Sequence, residues 1–469
     1  MEKRDFLTGK CIDISFEGKG VVKTEQGIVF VDGVFPNEEL EVFVEYTRAG
    51  QKFGKIRRLI TKSPDRIQPL CGICTACGGC QFQQLNYQAQ LDYKTKKVAS
   101  AFERNFHHKF NVLPCLGMEN PYNYRNKIQV PLGKDLHGNI ISGFYRANTH
   151  KIIATDTCYI DDERSRPIIK DIKLLMRSFK IEPYDEDKRS GVIRHVLIRT
   201  AKHKEQLMLT LVTALDEFKG KKNFVKAIVE KHPEITTVVQ NINTRDTNVI
   251  LGEKERILYG KGYIEDSILG VNFRISSKSF YQVNPVQVDV LYGKAIEFAE
   301  LTGNETVLDA YCGIGTISLI ASKHAKEVYG VEIVKEAIKD AIGNAKLNKI
   351  TNAKFECDDA SKYMLRFNQT GVKPDVVFVD PPRKGLDESF INSLLVLSPK
   401  KVVYVSCNCE TLARDLTLLS CKYDIKKIQP VDMFPMTHHV ETVVLLCLKE
   451  PNSAKNNKIN TYNRDWDGA

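Results

Sequence analysis

Between residues 276 and 449, short β-branched runs alternate with stretches whose apolar residues return at helical spacing. The runs are Thr306 to Asp309, Val328 to Glu332, Asp375 to Asp380 and Val402 to Val405. Continuous apolar runs of this length read as strands buried on both faces, and their alternation with amphipathic helices predicts a doubly wound parallel sheet. Residues 1–62 carry another pattern. Val21 to Lys23, Gly27 to Gly33 and Glu39 to Val44 are strand-like and separated by glycine or Pro36-Asn37 turns, which predicts a small β-barrel. Residues 63–275 are mixed: a cysteine cluster, a helical stretch over 84–106, and strand-like runs at 192–199, 206–213 and 236–240. A central α+β unit is expected there, giving an α/β protein of three units. Residues 450–469 read as a disordered tail.

A chain of 469 residues exceeds one ordinary core, which agrees with several domains. Lys and Arg outnumber Asp and Glu by 68 to 58, a modest surplus that fits a polyanionic partner such as RNA. Arg48, Lys52, Lys55, Arg57, Arg58 and Lys62 give the end of the barrel segment a basic edge, either a solvated face or a phosphate-contacting surface. The N-terminal residues lack the apolar segment of a signal peptide, and no stretch has the apolar length of a membrane span. A cytoplasmic protein, a monomer without membrane attachment, is expected. Its 13 cysteines are then read as thiols serving metal binding, catalysis or packing.

Chemistry enters at Cys407. The run Val402 to Val405 stops at Ser406-Cys407-Asn408, so a buried strand delivers a thiol to its carboxyl end, where ligands collect in open α/β sheets. Alone, Cys407 reads as a packing residue. With Glu441 as a carboxylate base and a cofactor loop nearby, it reads as a nucleophile for covalent catalysis at carbon. The loop is Asp309-Ala310-Tyr311-Cys312-Gly313-Ile314-Gly315-Thr316, which follows a strand and opens a helix. Glu332 ends the next strand, where an acidic side chain accepts from ribose hydroxyls. Ser318 stands where the dinucleotide fingerprint has its third glycine, which weakens pyrophosphate binding and favours S-adenosylmethionine over a nicotinamide cofactor. Asp380-Pro381-Pro382 at the end of another strand supports a nucleic-acid methyltransferase.

Cys71, Cys74, Cys77 and Cys80 place four thiols in ten residues, a strong metal signal. Zinc would need only these four. A four-iron cluster could take three of them and a distant one, for which Cys158 is a candidate.

Taken together, these motifs resemble the bacterial 23S ribosomal RNA uracil-5-methyltransferases with an N-terminal TRAM domain and a [4Fe-4S] cluster. The resemblance rests on Ser279-Phe280-Tyr281-Gln282-Val283-Asn284, the Asp309 loop, Gly330-Val331-Glu332, Asp380 to Gly385, Ser406-Cys407-Asn408, and Asp432-Met433-Phe434-Pro435 running to Glu441. It implies a Rossmann-like class I methyltransferase domain over 276–449. It further implies S-adenosylmethionine contacts at Gln282, Tyr311, Glu332 and Asp380, Cys407 as nucleophile and Glu441 as base. The cluster ligands it implies are Cys71, Cys77, Cys80 and Cys158, leaving Cys74 an extra thiol. The chain departs from the family in having Cys409 where proline usually follows Ser-Cys-Asn.

The chemistry needs these groups because C5 of uracil is a poor nucleophile. Addition of a thiolate to C6 makes the ring an enolate; C5 takes the methyl group, a base removes the C5 proton, and the thiolate leaves. A partly ionised Cys407 in an electropositive pocket is therefore expected, with Arg383 or Lys384 supplying the field or else contacting phosphates. Phe280, Tyr281 and Phe434 are candidates for stacking on a splayed base or for the core. Tyr124-Arg125-Asn126-Lys127 offers RNA contacts or a surface turn, and His438 and His439 read as scaffold. The rival readings are a transfer RNA uracil-5-methyltransferase, an amino-group methyltransferase that needs no thiol, and an iron–sulfur RNA-binding protein without catalysis. Members acting on transfer RNA typically lack the β-unit and the cysteine cluster, which favours ribosomal RNA.

Overall fold

The computed structural model describes residues 6–147, 149–245, 249–369 and 371–450; the expected tail at 450–469 lies outside these but for Glu450. Five strands, β1 (Phe6–Ile14), β2 (Gly20–Thr24), β3 (Gly27–Val31), β4 (Glu39–Arg48) and β5 (Gln51–Thr61), close a barrel in the order β1-β2-β3-β5-β4. Alternation along β2 to β4 turns Val22, Val29, Val31, Leu40 and Val42 inward to a small core with Cys11. That thiol is packing.

The central region opens with a single turn, α1 (Cys74–Cys77), and the long helix α2 (Tyr87–Phe106), whose start is capped by the Asn86 side chain accepting from the Ala89 N–H at 2.8 Å. Then come β6 (Lys127–Lys134), β7 (Ile140–Tyr145), β8 (Ile152–Ala154), α3 (Ser165–Ser178), β9 (Ile193–Thr200), β10 (Leu207–Thr213), α4 (Lys221–Lys231), β11 (Ile235–Ile242) and β12 (Lys254–Tyr259). Their strands form one sheet, β12-β11-β10-β9-β6-β7-β8, with α3 and α4 packed on one face.

A hairpin of β13 (Ile264–Ile268) and β14 (Val271–Ile275) precedes the last unit. The expected boundary at residue 275 gives this hairpin to the central region, yet Ile264, Ile268, Val271, Phe273 and Ile275 are buried in the C-terminal core. Its alternating apolar residues need a face to cover, and α5 (Gln287–Ala299) with the sheet provides it. The rest runs β15 (Thr306–Asp309), α6 (Thr316–Ala321), β16 (Glu327–Glu332), α7 (Lys335–Leu347), β17 (Ala353–Cys357), α8 (Ala360–Gln369), β18 (Val376–Val379), α9 (Glu388–Leu397), β19 (Lys401–Ser406), α10 (Cys409–Leu419), β20 (Tyr423–Val431) and β21 (Glu441–Leu448).

The sheet order is β17-β16-β15-β18-β19-β21-β20. β17, β16, β15, β18 and β19 are parallel, and β21 enters antiparallel between β19 and β20. Val307 and Leu308 alternate between the two faces, one covered by α5 and the hairpin, the other by α8, α9, α10 and, from the central region, Val98, Ala101 and Phe102 of α2. Helix α2 therefore belongs to the C-terminal core by packing. Among the described residues no helix is long and apolar enough to cross a membrane.

Candidate active site

The carboxyl ends of β15, β16, β18 and β19 open into one cavity of about 1440 Å³. Gln282, Tyr311, Glu332, Asp380, Cys407 and Glu441 all line it, though more than 150 residues separate the first from the last. Strand register brings Cys407 and Glu441 together. Ser406 pairs with Thr442 across the antiparallel β19–β21 ladder, so the next residue on each side, Cys407 and Glu441, come opposite one another. The turn is fixed locally: the Ser406 hydroxyl accepts from the Asn408 N–H at 3.1 Å and donates to the Asn408 carbonyl at 3.0 Å. The Asn408 side chain caps α10 by accepting from Glu410 N–H. Cys409, at the first helical position where proline is well tolerated, is buried against the α10 side of the core and does not line the cavity.

The loop after Asp380 is held from behind. Buried Asp415 accepts from the Leu386 N–H at 2.7 Å and from the Tyr404 hydroxyl at 2.8 Å, while Arg414 donates to the carbonyls of Lys384 and Leu386. This leaves Arg383 and Lys384 on the cavity wall.

The site is acidic, which corrects the expectation of an electropositive thiol pocket. Burial first, then Glu441 and Asp380, push the Cys407 thiol up to about 11, and Arg383 opposes them without prevailing. Burial and Asp380 push the Glu441 carboxyl up to about 8, again against Arg383. Asp380 is raised to about 7 by burial and by Asp309. Lys384 enters none of these balances.

Asp309, unremarked as a separate group in the sequence, is raised to about 6 by burial. One of its oxygens accepts from the Ser318 hydroxyl at 2.6 Å, whereas the other is buried without a partner. An orphaned carboxylate oxygen on the wall of a cavity is a ready acceptor for an ammonium group. Glu332 accepts from the Val334 N–H at 2.9 Å and the Gly313 N–H at 3.3 Å, which locks it across the loop. Gly315, at φ +83°, sits where a side chain is strained, and a Cβ there would press on the Phe355 ring at 3.0 Å. Acid for hydroxyls, an unpaired carboxylate for an ammonium and a close glycine turn together fit an amino-acid nucleoside such as S-adenosylmethionine.

Gln282 sits in an irregular segment pinned by the central region: the Asn126 amide donates to the Gln282 carbonyl at 3.0 Å, and the Asn126 N–H to the Val283 carbonyl at 2.9 Å. Asn126 is thus a structural tie, as is Tyr124, whose hydroxyl donates to the Pro435 carbonyl. Arg125 reaches the cavity. Of the stacking candidates, Tyr281 is only 5% exposed and belongs to the core, Phe434 lines the cavity, and Phe280 lines it while 76% exposed. His438 is scaffold, its ring nitrogen against the Phe16 carbonyl of the barrel, while His439 lines the cavity. Burial pushes the imidazole of His439 down to about 4.

The cysteine cluster borders the same cavity through Gly79, and Cys80 and Cys158 both pack against Tyr124, Ile160 and Met436. All 13 cysteines are free thiols. Among the described residues no three His, Cys, Asp or Glu side chains close to the spacing that a single metal ion requires.

A family model described as tRNA (uracil-5-)-methyltransferase matches residues 224–449. An uncharacterized RNA methyltransferase of Halalkalibacterium halodurans is 46% identical over 451 residues, 96% of this chain and 98% of that one. One of Staphylococcus aureus is 43% identical over 448 residues, 95% of this chain and 99% of its own. The chain belongs to the S-adenosylmethionine-dependent RNA uracil-5 methyltransferase family. Among solved structures it is similar to the Pyrococcus abyssi tRNA (uracil-54, C5)-methyltransferase in complex with S-adenosyl-L-homocysteine. The two share 28% identity and a TM-score of 0.75 over 94% of this chain and 99% of that one.

Proposed function

We propose that this enzyme forms 5-methyluridine in RNA through a covalent adduct between Cys407 and C6 of the target uracil, with 23S ribosomal RNA as its substrate. The observation that carries the reading is the opposition of Cys407 and Glu441 across the β19–β21 ladder at the wall of the cofactor-sized cavity. Bound S-adenosylmethionine supplies an electrophilic methyl group; Asp309 and Glu332 would hold its ammonium and ribose, with Tyr311, Gln282 and Asp380 around it. The Cys407 thiolate adds to C6 of the ring, and the electrons pass to the C5–C4–O4 enolate. C5 takes the methyl group as its bond to the sulfonium sulfur breaks and S-adenosyl-L-homocysteine is left; Glu441 then removes the C5 proton, and the returning electron pair expels the thiolate. Arg383 favours the ionised form of both groups. Phe280, an exposed ring at the cavity, offers a face for an unstacked base.

The barrel is the proposed RNA-binding TRAM unit. Its exposed Tyr46 stacks on Phe53 at 5.0 Å, with Lys52 in the same strand as Phe53. Cys71, Cys77, Cys80 and Cys158 are the proposed ligands of a [4Fe-4S] cluster, whose span exceeds the compact geometry of a single zinc ion.

Transfer RNA is the second reading. The alignment with the Pyrococcus enzyme spans 94% of this chain, so the N-terminal units do not separate the two substrates. Methyl incorporation into purified 23S RNA and transfer RNA, followed by nucleoside mass spectrometry, distinguishes them. The proposal expects 5-methyluridine in 23S RNA alone; methylation confined to transfer RNA overturns the ribosomal assignment.

A further inference from the structure

On the central sheet two cations face each other across neighbouring strands. Lys127 opens β6 and pairs with Arg199 of β9 in the antiparallel ladder. Their neighbours Ile128 and Ile198 pack under α3 and α4, so the two cationic side chains share the opposite face of the sheet. Arg199 is only 3% exposed. Its guanidinium donates to the carbonyls of Ser277 at 3.2 Å and Ser279 at 2.6 Å, while its Nε is buried without a partner. Arg125, two residues before Lys127, donates to the Lys127 carbonyl at 3.0 Å and lines the cavity. Among the described residues no carboxylate enters the charge balance around Lys127 or Arg199. Buried Asp161, bridged through its backbone to Arg125, answers that arginine instead. Burial first, then Arg199 and Arg125, push the half-buried Lys127 ammonium down to about 8. Like charges directly opposite on paired strands destabilise a sheet, and charges taken out of water are ordinarily paired. The arrangement lacks an anion.

We propose that Lys127 and Arg125, with Arg199 behind them, form a subsite for a phosphodiester of the RNA backbone beside the target nucleotide. The inference rests on the reading of the cavity as the place of a splayed-out uracil. Its location follows from the chain. Arg199 ties down Ser277 and Ser279, and the next residue is Phe280, the exposed ring at the cavity. A base held between Phe280 and Cys407 leaves its sugar and phosphates at the rim, where cations fix the register of the strand without reading its sequence. Among the described residues the Lys127 ammonium has no hydrogen-bond partner, so its three donors are free for phosphate oxygens. Arg199, buried and tied to backbone, acts through its charge; Lys127 and Arg125 make the contact. An anion between them turns a repulsive pair into a bridged one, and the strain of the free enzyme is relieved on binding.

The test is filter binding of purified RNA, whichever of 23S RNA and transfer RNA the wild type methylates, at a series of salt concentrations. Lys127→Met keeps the apolar stem and removes the charge. One lost phosphate contact should make the dependence of log affinity on log salt shallower by nearly one, and weaken binding about five- to eightfold at ~0.1 M salt. Affinity for S-adenosyl-L-homocysteine should stay near wild type. The melting temperature of the RNA-free protein should rise by about a degree, because the repulsion across the strands is gone. Lys127→Arg should bind RNA with the wild-type salt slope. Should Lys127→Met fail to fold, Lys127→Gln carries the same predictions for RNA. A salt slope equal to wild type in the uncharged variant, or lost affinity accompanied by a lower melting temperature, overturns the inference alone. A wild-type protein that methylates neither RNA overturns the reading of the cavity and the inference with it.

Discussion

Cys407 and Glu441 meet because two strands run antiparallel, and their chemistry is set by what surrounds them. Three carboxyl groups, those of buried Asp309 and Glu441 and half-buried Asp380, line one cavity and are raised to about 6, 8 and 7. Each is more readily protonated in the folded chain than in the unfolded one, so the fold binds extra protons between the unfolded values near 4 and these raised values. Stability from these groups is fully present below about pH 4 and is lost as pH rises through about 6 to 8. The melting temperature of the ligand-free enzyme should fall over that window, and Glu441→Gln, which carries no charge at any pH, should fall less steeply than wild type. Parallel curves would show that Glu441 is not desolvated. The same residue, as the proposed base, predicts that kcat/KM rises with pH through about 8 as its carboxyl ionises, and the Cys407 thiol at about 11 keeps it rising beyond. Cys407 and the Asp-Pro-Pro turn were legible in the sequence because each follows a strand-like run, whereas Glu441, which opens β21, was legible through the resemblance. Asn126 and the unpaired oxygen of Asp309 were not, since their roles come from partners that only the fold brings near.

At the scale of elements, the segment leading to Glu441 is held by a buried ion pair. Lys94 of α2 donates to Asp432 at 2.5 Å, both side chains being fully buried, and Asp432 also accepts from Tyr87 at 2.9 Å. Gln90 of the same helix accepts from the Met436 N–H at 3.0 Å. Removing one partner strands a buried charge at a cost of about 3–5 kcal/mol. Lys94→Met should lose about that much in denaturant unfolding, and Asp432→Asn added to it should restore part. A loss below about 1 kcal/mol would mean that water reaches Asp432. The helix was readable at 84–106 from its amphipathic spacing. Its allegiance to the C-terminal core was not, because a stripe of apolar residues does not name the face that covers it. The hairpin over 264–275 escaped assignment to that core for the same reason.

Across the whole molecule, barrel, central region and C-terminal sheet converge on one segment, Asp432 to Glu441. Lys97 of α2 donates to the Phe16 carbonyl of the barrel at 2.7 Å and to the His438 carbonyl at 2.9 Å. Gly18 lies so close that a Cβ there would meet the His438 Cβ at 2.7 Å. The three-unit plan was visible in the switch from alternating to continuous apolar runs, whereas this convergence depends on contacts more than 300 residues apart. The cysteine cluster touches the cavity only at Gly79, so its proposed role is to hold the central region together. Protein purified without oxygen should carry about four iron and four sulfide per chain. Cys80→Ser should lose them and melt at lower temperature, while affinity for S-adenosyl-L-homocysteine stays near wild type. Wild-type protein free of iron would refute the cluster.

The proposed chemistry turns on a bond between the Cys407 sulfur and a pyrimidine ring. RNA carrying 5-fluorouridine at the target has no C5 proton for Glu441 to remove, so methylation should halt with the enzyme attached. Denaturing electrophoresis and mass spectrometry of the wild-type reaction with S-adenosylmethionine should reveal a stable methylated adduct mapped to Cys407, absent from Cys407→Ala. Methyl transfer by Cys407→Ala, or an adduct on any other residue, would contradict it.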